Sequence, residues 1–332
     1  MTTTLRIPAP LATVQQVVTE PAYFGLLGWN SSPTRDYPIE NLQPGPERIP
    51  AMPDHDPAFI HPTAVVSEAA MLGKNVRVGP FVVIDGPVRI GDGCNIRPHV
   101  HLIGPLTLGV NNDVGTGTVL GGAPQHLGYK GEATEVAIGD GNTFREHVTV
   151  HRGMPVGVGP GTGITRIGSH NLFMAGSHVA HDCAVGNDCI FANAAVIGGH
   201  VEVGDRALLS GNSAVHQFCR VGRLALLSGA SASSKDIPPF WVMQEVNWVC
   251  GVNTIGMRRA GMTSPEIQAV RRAFSLIYKD RLPIPVALLR IEAELGEFAA
   301  IRELVQFIRT SKRGICGGHR FHAHNENTDA AA

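Results

Sequence analysis

The chain has 332 residues, a formal net charge of −1 and only 17% charged residues. That balance argues against a nucleic-acid or membrane-surface protein, since both gather an excess of cations. No apolar run is long enough for a membrane span, and no basic segment leads into an apolar stretch at the N-terminus, so no secretory signal is expected.

Residues 1–58 are rich in proline and carry one apolar patch, Tyr23 to Trp29. This composition predicts an extended arm that packs its patch on the rest of the chain or on a neighbouring subunit. From Ile60 an aliphatic or Phe residue recurs every sixth position through Val66, Leu72 and Val78 to Leu120. The same phase returns at Ile138, Phe144 and Val150, and after a one-residue shift it runs unbroken from Ile167 to Leu227. With 43% of residues hydrophobic, a run of eleven such hits has odds on the order of one in ten thousand, and it occurs twice. A hexad fits neither a helix nor a flat strand. Three hexads make one triangular coil of a parallel β-helix, with the leading residue inward and about eighteen residues per turn.

The position four residues after each leader is mostly small or aliphatic, as in Ala64, Val76, Ser177, Cys183 and Ala195, which suits a narrow corner. Glycine often follows the leader (Gly73, Gly91, Gly186, Gly204), where a turn with unusual dihedrals is expected. Residues 121–137 and 152–166 interrupt the hexads and are predicted to leave the prism as side loops. The β-helix is assigned to 59–240, a helical domain to 241–316 and a disordered tail to 317–332. Within the helical domain, Ser264-Pro265-Glu266 marks a helix start. Further helices are expected at 285–296 and 299–312, before Gly314. Residues 258–313 hold eleven Lys/Arg against six Asp/Glu. This is either a solvated helical face or a dock for an acidic partner. Six cysteines without a Cys-x-x-Cys pair point to the cytoplasm. Four of them (Cys94, Cys183, Cys189, Cys219) occupy the small slot, where packing rather than a catalytic thiol is expected.

Histidine placement carries the chemistry. Positions 199 and 217 stack over His181, and His178, His200 and His216 fall close by with Gln217, so an outward column of imidazoles is expected. Asp182 follows His181 and would fix its tautomer as a base. Gly199, one coil on, would bring a backbone N–H to a developing oxyanion. A metal site is the rival reading. The close pairs, His178-x2-His181 and His147-x3-His151, do not match the His-x4-His pair of trimeric β-helix carbonic anhydrases, so no metal is expected. His319, His322 and His324 of the tail lie outside any element the sequence supports.

At these residues the chain resembles the UDP-N-acetylglucosamine O-acyltransferases of lipid A synthesis. The segments that carry the likeness are His151-Arg152-Gly153, Ser177 to Cys183, Gly198-Gly199-His200, Val215 to Cys219, Asp236 to Pro239 and Gly251-Val252-Asn253. The resemblance implies a left-handed coil, a C-terminal helical domain and a homotrimer with sites between subunits. It implies that His181 takes the proton of the sugar 3-hydroxyl as this attacks a (3R)-3-hydroxyacyl thioester on acyl carrier protein. Asp182 would orient His181, and Gly199 would supply the oxyanion amide. His178, His200, His216 and Gln217 would contact substrate, Asn253 and Arg259 would complete the donor and diphosphate sites, and Gly229 would gauge the acyl chain. No cofactor is implied. The chain departs from the family in a substrate-contacting loop. There the usual Gln-Asp-x-Lys-Tyr reads Gln125-His126-Leu127-Gly128-Tyr129, removing a carboxylate and an ammonium. Gln244-Glu245-Val246 stands for Gln-Gly-Asn, Ile255 for Glu, and the long arm has no counterpart. Another nucleotide sugar, an acyl-CoA donor, or a non-catalytic scaffold are the alternative readings.

Overall fold

A computed structural model describes residues 58–280 and 282–318. The arm up to residue 57, with its aromatic patch, and the histidines of the tail lie outside the described residues. Three sheets of twelve, nine and eight short strands form the walls of a prism, parallel except for one antiparallel pair near the end of the first, and along the coils successive strands of one wall come from successive turns. Phe59–Ile60 pairs with Arg77–Val78, and His178–Val179 with Val196–Ile197. The coil is a left-handed parallel β-helix. Hexad leaders such as Ile84, Leu102, Leu120, Phe173, Val179 and Leu227 are fully buried. Phe144, Phe173 and Phe191 stack in one column with ring centroids 4.9 and 4.8 Å apart. Burying each such side chain is worth about 1.5–3 kcal/mol, so the leaders hold the prism together.

The small slot is buried as expected. Burial pushes the thiols of Cys183 and Cys189 up to about 12 and that of Cys219 up to about 11, so they stay protonated and inert. Asn112, Asn142 and Asn171 occupy one column of this slot as a buried ladder, each side-chain oxygen accepting from the amide of the next. The role expected for the glycines after the leaders is corrected. A Cβ at Gly91 would come within 2.6 Å of the Gly109 carbonyl carbon, so glycine is there to let coils approach. The left-handed residue comes two places later and is mostly not glycine: Asn75, Asn111, Asp188 and Arg206 all have φ near 56°.

Strands reach into both interruptions, with Val119–Gly122 and Glu135–Ile138 flanking the first and Thr149–His151 and Ile164–Ile167 the second. The first wall continues past residue 240. Trp241–Gln244 adds a rung and Trp248–Val252 folds back antiparallel on it. Then follow α1 (Thr254–Arg259), α2 (Ser264–Tyr278), α3 (Ile284–Leu295) and α4 (Ala299–Arg309). Thr263 and Glu266 form a reciprocal capping box at the start of α2, which explains its sharp onset. Gly317–Gly318, assigned to a disordered tail from composition, instead pairs with Trp248–Val249. Tyr278 Oη donates to the Cys316 carbonyl at 2.7 Å and holds this return in place. Among the described residues no helix is long and apolar enough to cross a membrane.

Candidate active site

His181 sits two residues after its leader Val179, outside the apolar core, yet it is only 9% exposed. Its Nδ1 lies 2.7 Å from Asp182 Oδ2. A carboxylate only accepts, so Nδ1 carries the proton and Nε2 is left with a lone pair. Asp182 is left-handed (φ 59°), a conformation Asp tolerates, and this turns its side chain alongside its neighbour's ring. The carboxylate has no exposed side-chain surface. It accepts two donors on each oxygen: His181 Nδ1 and Met154 N–H on Oδ2, and the Thr162 N–H and hydroxyl on Oδ1. Burial pushes this carboxyl up, but the donors outweigh it and hold it down to about 2.

Gly199 lies in the same corner position one coil on. A Cβ there would stand 2.6–2.7 Å from His181 Cε1 and Nε2. Its absence gives the imidazole its seat, and Phe218 N–H bonds to the Gly199 carbonyl at 3.0 Å. His200 follows Asp182 in the next column. Its ring meets His181 edge-on at 5.2 Å and stacks on Phe218 at 4.6 Å, while its Nε2 is 3.7 Å from Asp182 Oδ2. Burial lowers its pKa, against the pull of Asp182.

The four imidazoles do not form one column, which corrects the expectation. Only residues at the same hexad position stack, and a one-residue offset turns a side chain to another side of the corner. His178 precedes its leader and lies on the second wall, where its Nδ1 is 2.7 Å from Thr149 Oγ1. Its ring meets His151 at 4.7 Å. Burial, reinforced by His178 and His181, pushes His151 down to about 4, and burial also lowers His178. Both are therefore neutral near pH 7. His216 is exposed, with Nδ1 3.2 Å from the Arg313 guanidinium. The first side loop contributes His126, whose ring meets His181 edge-on at 5.7 Å, while Gln125 is exposed. Gly128 N–H donates to His126 Nδ1 at 3.0 Å, leaving Nε2–H to point elsewhere.

A notch of about 170 Å³ opens on His181, His200, His126, Gln217 and Phe218, walled by Val158, Gly159 and Pro160 of the second side loop. Asn253 and Arg259 are not in it. They line a separate cleft of about 820 Å³ with Arg206 and Leu226. Asn253 caps α1, accepting from Gly256 N–H and donating to the Leu224 carbonyl, both at 2.8 Å. Gly229 lies on an exposed corner beside Gly211. The roles of Thr162, Met154 and Phe218 carry no signal in the hexad pattern, since two come from the side loop and Phe218 reads as an ordinary corner residue. His151 stands out in the sequence only within the His151-Arg152-Gly153 segment and the His147-x3-His151 pair, neither of which places it against His178.

His181, Asp182 and His200 could each offer one ligand atom to a metal within 4.8 Å of the others. The donor set fits one poorly. Both Asp182 oxygens and His181 Nδ1 are already engaged, and a cation would have to displace those bonds.

Residues 236–316 match the family described as UDP-N-acetylglucosamine O-acyltransferase, domain 2. Residues 69–104 and 164–199 match the bacterial transferase hexapeptide. The protein named acyl-(acyl-carrier-protein)–UDP-N-acetylglucosamine O-acyltransferase from Halorhodospira halophila is 45% identical over 257 residues, covering 77% of this chain and 98% of that protein. The protein of the same name from Xylella fastidiosa is 41% identical over 260 residues, covering 78% and 97%. Among solved structures, the UDP-N-acetylglucosamine acyltransferase of Francisella novicida superposes with TM-score 0.75 at 34% identity, covering 79% of this chain and 95% of that one. That of Bacteroides fragilis gives 0.72 at 37%, covering 77% and 99%. With a relative this similar matched over nearly its whole length, the chain belongs to the UDP-N-acetylglucosamine O-acyltransferase family.

Proposed function

We propose that this enzyme transfers a (3R)-3-hydroxyacyl chain from acyl carrier protein to the 3-hydroxyl of UDP-N-acetylglucosamine, the first step of lipid A synthesis. The observation that carries the reading is the His181 imidazole, its Nδ1 proton held by Asp182 and its Nε2 free beside a notch, in a chain of this family. Nε2 takes the proton of the sugar 3-hydroxyl as its oxygen attacks the thioester carbonyl carbon. The carbonyl oxygen becomes an oxyanion, and the Gly199 amide, which makes no hydrogen bond among the described residues, stabilises it. Collapse breaks the C–S bond, and His181 returns the proton to the departing thiolate of the carrier's prosthetic arm.

A notch of about 170 Å³ is too small for a nucleotide sugar, whose pockets run to about 300–1,000 Å³. This supports a homotrimer in which the cleft of Asn253 and Arg259 on one protomer faces the notch of the next. His178, His200, His216, Gln217, Gln125 and His126 then contact the acceptor, and Gly229 leaves room for the acyl chain. Arg258, Arg259, Arg271 and Lys279 are exposed and form no ion pair among the described residues, which favours the dock for an acidic carrier over a merely solvated face. Six free cysteines suit a reducing cytoplasm.

Mass spectrometry of the product formed from UDP-N-acetylglucosamine and a panel of hydroxyacyl carrier proteins tests the reaction. An O-acylated sugar nucleotide is expected, and turnover only with acyl-CoA or another sugar would overturn it. Because Asp182 is saturated by protein donors, dialysis against a chelator is expected to leave turnover within about twofold. A loss restored by added zinc would revive the metal reading.

A further inference from the structure

The second side loop reaches back to the catalytic pair. Thr162 approaches Asp182 Oδ1 with both its N–H and its hydroxyl at 2.7 Å, and Met154 N–H reaches Oδ2 at 2.9 Å. Between these anchors, Val158, Gly159 and Pro160 wall the notch in front of His181 and His200. The hydroxyl has one proton and two acceptors within reach, Asp182 Oδ1 at 2.7 Å and the Ile164 carbonyl at 2.9 Å. The carboxylate is charged and nearer, so it takes the proton.

We propose that Thr162 is a positioning residue for the acyl transfer: it locks the Asp182 carboxylate in the rotation that aims Oδ2 at His181 Nδ1, and the same bonds seat the side loop over the notch. The torsion about an Asp Cβ–Cγ bond is broad and roughly two-fold. Nothing in the covalent structure therefore holds Oδ2 2.7 Å from His181. Thr165 fixes only the backbone, accepting from Asp182 N–H at 2.8 Å. Two donors from one residue on Oδ1 set the plane of the carboxylate, and Oδ2 follows. Orientation of the base and closure of the wall thus become one event, with Asp182 as the joint.

The proposal rests on His181 being the base, and steady-state kinetics of Thr162→Val and Thr162→Ser test it with UDP-N-acetylglucosamine and hydroxyacyl carrier protein. Valine keeps the shape and the backbone N–H but removes the hydroxyl. It is expected to lower kcat about tenfold while changing KM for either substrate less than about threefold, as loss of a hydrogen bond to a charged group would. Serine restores the hydroxyl and is expected to stay within about threefold of the unaltered enzyme. Full kcat in the valine variant, a raised KM with kcat intact, or a serine variant as impaired as valine would each overturn it. If the unaltered enzyme forms no product, the parent reading falls and takes this one with it. Normal turnover in both the unaltered and valine forms sinks this one alone.

Discussion

His181→Ala is expected to lower turnover by about 10²–10⁴-fold while the protein stays folded. The size follows from what is removed. Of the other imidazoles in the site, three are already committed. His151 and His178 lie on another wall, with burial holding His151 down to about 4. His200 stands 3.7 Å from Asp182 Oδ2 but stacks on Phe218, so its plane is already set. The fold survives because the ring belongs to no leader position and the buried leaders Phe173, Val179 and Phe191 are untouched. Asp182 keeps three of its four donors, from Met154 and Thr162, so the side loop stays seated. The measurement is kcat beside the thermal unfolding midpoint. Turnover within about tenfold of the unaltered enzyme, with the same midpoint, would remove His181 from its role and point to His200 or His126.

Much of this architecture could be read from residue order, for a physical reason. A prism whose every rung buries one side chain per wall forces a six-residue period, and the leaders from Val78 to Leu227 have no other way to be buried, while Ile60 on the open first coil stays exposed. The same coil length places Gly199 over His181 in the sequence itself, since stacked positions differ by one turn. The histidine column failed on the same rule applied loosely. His178, His200 and His216 miss the register of His181 by one to three residues, and a corner turns each offset into a different direction. The glycines differ from expectation because a corner has two demanding places, one crowded and one left-handed. Composition alone does not say which of them Gly91 or Gly186 serves. Contacts made by interruptions were out of reach. Thr162 lies twenty residues before Asp182 with no periodicity linking them, and nothing in Gly317-Gly318 announces a strand.

Asp182→Asn is the other large effect, an expected fall in kcat of about 10²–10⁴-fold. An amide has one acceptor oxygen and one donor NH₂, whereas the native carboxylate receives donors on both oxygens. Whichever way the amide turns, two like donors face each other. If the oxygen stays with Thr162, the NH₂ points at His181 Nδ1 and forces the proton to Nε2, which is the wrong tautomer for a base. If the oxygen stays with His181, the NH₂ opposes the Thr162 N–H and hydroxyl and the side loop loses its seat. Both routes silence the base, but they leave different traces. The first costs residues 152–166 only the Met154 anchor and leaves the Thr162 bonds that keep them protease-resistant, and the second exposes them. Stability follows the same carboxylate. Its pKa is depressed from 3.8 to about 2 in the folded state, so its contribution is fully present above the unfolded value and disappears as pH falls through the folded one. It amounts to about 2 kcal/mol. The gap in unfolding free energy between the unaltered and Asn proteins should therefore be open at pH 7 and narrow progressively between about pH 4 and pH 2. A gap that stayed constant across that window would mean that the Asp182 charge does not hold the side loop.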